Sequence, residues 1–371
     1  MQELFERTLD AYINEEQSGD PRYLLGQVVN MTHKVVWQKE SENMFMVVPH
    51  HNKFGRDIYS FDMSKPKGEK IRLLSKDIDQ TKVLSSIDEL PKAEKYSYCS
   101  LFNGITIRMF HNGIEWKYAT SSTLDAGNTY CYTTNRTITG KIAPKQTILQ
   151  MFNKFTVDCS VFDKNLTHFF SFYLPDCINV VPYGDKPICV YLGSSDKEQF
   201  VSAGLTEGTL EDIKNLLNGA KCGALIKSPD NKLYIVHSQY YKDLYAMIKN
   251  VNNIQYISLM NLKNKDKFIR EYPFWESCMK YTVSKVHTLA KNIKNLFTSY
   301  FFTGPNRNKC KNKAYLPILY QLYARYLVTK KKMTLLDIQN FLINDVDTSV
   351  LACALGISIK IRTNRHLINN N

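Results

Sequence analysis

The apolar residues of this chain change their period partway along, and that change limits the folds open to it. Up to about residue 250 they fall in short runs, several with the two-residue alternation of half-buried strands. Ile105 to Phe110 and Trp116 to Ala119 alternate in this way, and His111-Asn112-Gly113 between them reads as a hairpin turn. Tyr23 to Trp37, Asn43 to Val48 and Ile188 to Leu192 are further strand-like runs. Phe169 to Leu174 and Ile178 to Val181 flank a turn at Pro175-Asp176, and Leu225-Ile226 and Leu233 to Val236 bracket another at Pro229-Asp230-Asn231. Glu207 to Leu217 is expected to be a helix: Thr209 can cap it, Glu211 and Asp212 favour its first turn, and Gly219 ends it. A second helix is predicted from Tyr241 to Lys249.

Further on, the spacing becomes three and four. Tyr281 to Phe302, Leu316 to Val328 and Leu335 to Leu342 are helix-length runs of that kind. Gly304-Pro305-Asn306 separates the first two, and Met333-Thr334 offers a cap to the third. Lys249 to Lys265 is polar and lysine-rich, as a linker would be. The expectation is an α+β chain, with a domain of antiparallel sheets and flanking helices over residues 1–250 and an all-helical domain over 251–371.

Charge follows the same division. From residue 251 onward there are 19 Lys and Arg against 6 Asp and Glu, which accounts for the whole net charge of +13. Such asymmetry points to an anionic partner. Three basic clusters are candidate nucleic-acid contacts: Lys263, Lys265, Lys267 and Arg270; Arg307, Lys309, Lys311 and Lys313; and Lys330, Lys331 and Lys332. The competing reading is solvated helix ends, where cations complement the macrodipole. Interleaved aromatics such as Tyr300, Phe301, Tyr320 and Tyr323 would suit base stacking, but their helical spacing favours core packing.

The nine cysteines are scattered singly, without Cys-x-x-Cys spacing, which argues against a disulfide framework and a structural zinc site. A reducing, intracellular compartment is expected. The chain opens Met-Gln-Glu-Leu-Phe-Glu-Arg, with no apolar leader, and its best apolar run, Val350 to Ile359, is too short to cross a bilayer. Thr139-Gly140-Lys141 lacks the upstream glycine of a phosphate loop and reads as a turn, and His50-His51 and His237 lack companions at metal-ligand spacing.

Residues 98 to 113 run Tyr-Cys-Ser-Leu-Phe-Asn-Gly-Ile-Thr-Ile-Arg-Met-Phe-His-Asn-Gly. This segment resembles the active-site strand of ATP-dependent RNA ligases, most closely the tRNA-repair ligases of T-even phages, where Lys-x-Asp-Gly supplies the lysine that becomes adenylylated. Phe170-Ser171-Phe172-Tyr173-Leu174-Pro175 resembles that family's Phe-Glu-Phe-Val-x-Pro. Cys222-Gly223-Ala224-Leu225 stands where the family has Glu-Gly-Tyr-Val, and Ile235-Val236-His237-Ser238-Gln239-Tyr240-Tyr241 where it has Lys-x-Lys-Ser-x-x-Tyr. Arg56 to Phe61, with Ile71 to Leu74, is similar to its early Arg-Gly-Ile-x-Phe strand. The resemblance implies a ligase-type nucleotidyltransferase domain followed by a helical domain that helps select RNA.

It also implies that the chemistry is gone. The lysine position is Leu101 and the aspartate position Asn103; Ser171 and Cys222 replace glutamates, and Ile235 and His237 replace paired phosphate-binding lysines. Leucine has no lone pair with which to attack phosphorus, and neither Ser171 nor Cys222 is a hard anionic ligand for Mg²⁺. Thr120-Ser121-Ser122-Thr123 stands in place of a basic run. Cys99, Lys95 and Lys117 are the nearest substitute nucleophiles, with Cys99 better read as a small buried hydrophobe. No catalytic residue, cofactor or metal is therefore expected, and the nucleotide cleft should be filled by Leu101, Ile235 and their neighbours or covered by a partner. The leading expectation is a non-catalytic binding or scaffold subunit of a viral RNA polymerase or RNA-processing complex. The alternatives are a stand-alone RNA-binding protein and a residual nucleotidyltransferase with a displaced nucleophile.

Overall fold

The computed structural model describes residues 33–37, 44–49, 56–61, 71–78, 81–130, 146–175, 177, 179–196, 200–249, 251, 253–302, 310 and 312–357. Arg307, Lys309, Lys311, His50, His51 and the Thr139-Gly140-Lys141 turn lie outside these residues, as does the predicted strand before His33. The described residues divide into two compact units, with the division after Lys242.

The first unit opens with a four-stranded antiparallel sheet in sequential order: β1 (His33–Trp37), β2 (Met44–Pro49), β3 (Ile58–Phe61) and β4 (Ile71–Ser75). Then come β5 (Thr81–Leu84), β6 (Tyr96–Ser100), β7 (Ile105–His111), β8 (Trp116–Thr120), the short helix α1 (Ile148–Phe152) and β9 (Thr167–Tyr173). They are followed by β10 (Ile188–Ser195), β11 (Phe200–Ser202), β12 (Thr206–Gly208), α2 (Leu210–Gly219), β13 (Gly223–Lys227) and β14 (Leu233–His237). These strands make two five-stranded sheets, ordered β11-β10-β9-β7-β8 and β12-β6-β13-β14-β5. Every pairing is antiparallel except that of β14 with β5.

Two-residue alternation assigns each strand a face. On β7 and β9, Ile107, Met109, Phe170 and Phe172 turn outward to pack on Ile148, Met151 and Phe152 of α1. On β13 and β14, Ala224, Ile226, Tyr234 and Val236 turn outward to pack with Ile213 of α2. Phe169, Leu225 and Leu233 have the opposite parity and meet in a smaller inner cluster with Phe200. The two five-stranded sheets thus lie face to face, each covered outside by a helix. Phe110, on the inner parity of β7, packs with Met46 and Ile58 of the first sheet.

Several local signals act as their chemistry requires. The β7–β8 turn is held by Asn112, whose Oδ1 accepts from the backbone N–H of Ile114 at 3.0 Å and Glu115 at 2.9 Å, with Gly113 at φ +104°. Thr209 and Asp212 form a reciprocal capping box on α2, as Thr147 and Gln150 do on α1. The strand expected at Ile178 to Val181 is not found among the described residues: 179–181 are irregular, Ile178 lies outside them, and β10 is an antiparallel partner of β9. The Asn179 amide donates to the carbonyls of Leu174 at 3.2 Å and Cys177 at 3.1 Å, which closes the chain into a turn where a strand would need it extended.

The unit boundary falls inside α3 (Gln239–Ile248). The second unit is helical, with α4 (Ile254–Met260), α5 (Lys265–Glu271), α6 (Glu276–Phe301), α7 (Leu316–Thr329), α8 (Leu335–Asn344) and α9 (Thr348–Ala354). The α+β class with a helical C-terminal region is therefore as expected. Val286, Leu289, Ala290, Ile293 and Phe297 form the buried stripe of α6, which packs against α4, α7 and α8. The stretch predicted as a linker carries α4, capped by Asn253, with Ile254, Ile257 and Leu259 buried. Among the described residues no helix is long and apolar enough to cross a membrane.

Candidate ligand-binding cavity

Residues 101–104 leave β6 in one five-stranded sheet and enter β7 in the other. The Leu101 N–H extends the β6–β13 ladder by donating to the Gly223 carbonyl at 2.9 Å. Gly104 then passes so close to β9 that a Cβ there would lie 2.6 Å from the Phe172 carbonyl oxygen and 2.7 Å from Ser171 Oγ. Glycine at this crossing is a packing requirement.

Between the inner faces of the two sheets lies a cavity of 470 Å³. Leu101, Leu225 and Ile235 line it from one sheet, and Phe169, Leu192 and Phe200 from the other. The cleft was expected to be filled by Leu101, Ile235 and their neighbours or covered by a partner; Leu101 and Ile235 line it without filling it. Their branched side chains occupy the walls, and the sheet separation leaves room for a ligand of ordinary small-molecule size.

The other replaced motif positions are not among the residues that line this space. Ser171, which is 1 % exposed, has an Oγ without a hydrogen-bond partner among the described residues, closed in beneath Gly104. Asn103 donates its backbone N–H to Tyr183 Oη at 2.8 Å, and its side-chain Oδ1 accepts from Val181 N–H at 3.4 Å. Tyr183 stacks on Phe102, with ring centroids 4.6 Å apart, and its hydroxyl lies 2.8 Å from Cys222 Sγ. Burial pushes the Cys222 thiol up to about 11, and burial also raises Tyr183, so both stay neutral near pH 7. His237 stacks on Tyr241 at 4.1 Å; burial holds its imidazole below the usual 6.5 and favours the neutral ring. These six positions therefore split: Leu101 and Ile235 line the cavity, Asn103, Cys222 and His237 make local hydrogen-bond and stacking contacts, and Ser171 is packed beneath Gly104.

The substitute nucleophiles fare no better. Cys99 lines the cavity beside Leu101, but burial raises its thiol pKa, and its sulfur lies 3.9 Å from Ser202 Oγ. A raised pKa leaves little thiolate. Neither Lys95 nor Lys117 lines the cavity, and Lys117 is paired with Glu115 at 2.5 Å on the β8 side of the hairpin.

One charged pair does line it, and little in the sequence marks it. Arg108, on the inner parity of β7, is 2 % exposed, and Asp77 lies just after β4. Arg108 Nη1 donates to the Arg56 carbonyl at 2.8 Å and stands 3.9 Å from Asp77 Oδ1. Arg56, itself buried, donates through Nη1 to the Ser121 carbonyl, and its backbone N–H donates to Asp77 Oδ2 at 3.1 Å. Asp57 accepts from the Asp77 N–H at 2.9 Å, and burial raises its carboxyl above the usual range. Burial opposes the charge on Arg108, and Asp77, then Asp57, offset that penalty. Arg108 passes in the sequence for an outward-facing residue on a half-buried strand; the sign that it is not is Phe110 at the same parity.

In the helical unit, Lys263, Lys265, Lys267, Arg270, Lys313 and Lys330 to Lys332 are all exposed. Lys263 Nζ donates to the Asn344 carbonyl at the end of α8, at 2.7 Å, and Lys330 is the left-handed C-cap of α7. These two follow the helix-end reading. Of the aromatics, Tyr272 and Trp275 are buried, Phe301 stacks on Tyr323 at 4.1 Å, and Tyr320 and Phe302 are exposed.

No protein-family model matches the chain, and no curated protein matches its sequence. Among solved structures it is similar to an archaeal ATP-dependent RNA ligase, form 2, at 10 % identity and a TM-score of 0.43, over 74 % of this chain and 81 % of that one. Form 1 of the archaeal ligase gives 10 % identity and 0.38 over 72 % and 82 %; a DNA ligase from Aquifex aeolicus described as ATP-dependent gives 12 % and 0.35 over 84 % and 81 %. No family is assigned from neighbours at these values.

Proposed function

We propose that the chain is a non-catalytic relative of the ATP-dependent RNA ligases that acts as a binding or scaffold subunit of a viral RNA polymerase or RNA-processing complex. One observation carries the reading. The position that resembles the adenylylated lysine is Leu101, and it lines a cavity whose only cation, among the described residues, is Arg108. A nucleoside triphosphate carries several negative charges, which sites of this chemistry meet with lysines and Mg²⁺. Here a single guanidinium is already faced by Asp77, and the walls are mainly apolar. At Leu101 itself there is no lone pair from which nucleophilic attack on the α-phosphorus could begin.

The test is incubation of the full chain with radiolabelled ATP or GTP and Mg²⁺. No covalent adduct is expected. A labelled band lost on mutating Cys99, Lys95 or Lys117 would instead establish a displaced nucleophile and overturn the reading.

A second reading, RNA binding by the helical unit, is favoured by the exposed cations Lys265, Lys267 and Arg270 on α5 and Lys330 to Lys332 after α7. Under it the isolated chain binds single-stranded RNA with an affinity that falls steeply with salt, and charge reversal at Lys331 and Lys332 lowers the slope. RNA affinity that does not change with salt would sink it.

A further inference from the structure

The charged groups that line the cavity are engaged by the protein itself, and that decides what the space can hold. Arg108 is 2 % exposed: its Nη1 donates to the Arg56 carbonyl, and its Nε and Nη2 are closed off, out of reach of a ligand. Asp77 accepts from the Ile78 N–H at 3.0 Å and the Arg56 N–H at 3.1 Å, and it stands 3.9 Å from Arg108 Nη1. Two of the lining hydroxyls are engaged as well. Tyr191 Oη lies 3.1 Å from His168 Nδ1, and Ser202 Oγ donates to the Leu192 carbonyl at 3.4 Å. An anion entering this space would give up its water and meet no cation that it could touch; a cation would have to draw Asp77 from its present donors. An unpaired charge taken out of water costs more than burial of the attached apolar body gives back. The walls suit the opposite kind of molecule. Ile78, Leu101, Phe169, Phe200, Leu225 and Ile235 surround the space with apolar surface. An apolar protein cavity of about 150 Å³ already admits benzene, and 470 Å³ has room for two or three rings.

We propose that this cavity binds an uncharged, largely apolar small molecule of two or three rings and discriminates against charged molecules of the same shape. The inference rests on the reading of the cleft as one that has ceased to take a nucleotide. It goes further, because loss of the nucleophile alone would leave a site that still accepts a phosphate. Here the selectivity comes from the internal pairing of Arg108 with Asp77 and the Arg56 carbonyl, and the affinity comes from apolar walls that both five-stranded sheets supply.

The probe is the uncharged dye N-phenyl-1-naphthylamine, titrated into the full chain at high salt so that the surface cations are screened. Its fluorescence should rise saturably, with one dye bound per chain. Displacement then reads the selectivity. Uncharged 2-acetylnaphthalene should displace the dye at concentrations about tenfold or more below those needed of 2-naphthoate, the anion of similar shape, and ATP should not displace it. Leu101→Trp, on the segment between the sheets, should fill the cavity and abolish dye binding in a chain whose circular dichroism is unchanged. The displacement series uses the wild-type chain, so it decides the matter even if that variant fails to fold. Lack of saturable dye binding, naphthoate as effective as the ketone, displacement by ATP, or undiminished binding to folded Leu101→Trp would each overturn the proposal. Failure of dye binding without an adenylylated adduct sinks this inference alone; an adduct sinks the non-catalytic reading on which it rests.

Discussion

Replacing Gly223 by alanine is the sharpest probe of how the cleft is built. Gly223 opens β13 at φ +137°, and a Cβ there would lie 2.1 Å from the carbonyl oxygen of Val236 and 2.8 Å from the Cα of His237. Both obstacles are backbone of the paired strand β14, so no side chain can rotate out of the way. The backbone conformation costs an L-residue roughly 1–3 kcal/mol, and overpacking against a fixed neighbour adds about 1–3 kcal/mol. The sum, roughly 2–6 kcal/mol, is a large part of the 5–15 kcal/mol by which domains are ordinarily stable. Gly113 provides the control: it has φ +104°, but nothing lies within 4 Å of its would-be Cβ, so Gly113→Ala incurs only the backbone cost. In urea unfolding followed by tryptophan fluorescence, Gly223→Ala should fall below Gly113→Ala by on the order of 1 M in midpoint. Matching midpoints for the two variants would refute the claim that β14 closes over Gly223.

Two further outcomes concern ionisation. Burial holds His237 and His168 below 6.5, so the unfolded chain takes up more protons than the folded one as pH falls below that value; stability should decline from about pH 6.5 downward, and His237→Gln should flatten the decline in a pH series of denaturant midpoints. Burial pushes Cys189 and Cys222 up to about 11, so iodoacetamide at pH 8 should modify the exposed Cys353 well before either, as read by mass spectrometry of peptides; early modification of Cys222 would contradict its contact with Tyr183.

What could be read from the sequence was what short-range chemistry decides. Asn112-Gly113 specified a hairpin because an Asn side chain and a glycine make that turn without help from the rest of the fold. Thr209 and Thr334 marked helix starts, and each forms a reciprocal box with the aspartate three residues on. The expectation failed where a distant partner decides. Helix α4 is seven residues long, too short to show a period, and is held by its burial against α6. Residues 179–181 have strand-like composition, but one Asn179 side chain captures two carbonyls and bends them into a turn. The motif positions were legible only one by one. That Leu101 and Ile235 share a cavity while Cys222 and His237 are drawn off by Tyr183 and Tyr241 depends on the pairing of β6, β13 and β14. Arg108 was obscured because alternation names two faces of β7 without saying that both are covered.

The parallel pairing of β5 with β14 joins Thr81–Leu84 to residues some 150 positions further along the chain. During synthesis β5 therefore emerges long before β14, its ladder partner among the described residues, and it waits for that strand while the intervening residues are made. Ile235 and Leu233, which complete the inner wall, arrive on that same last strand. The cavity therefore cannot exist in any nascent chain that ends before β14, and its inner wall closes only once that strand has been made.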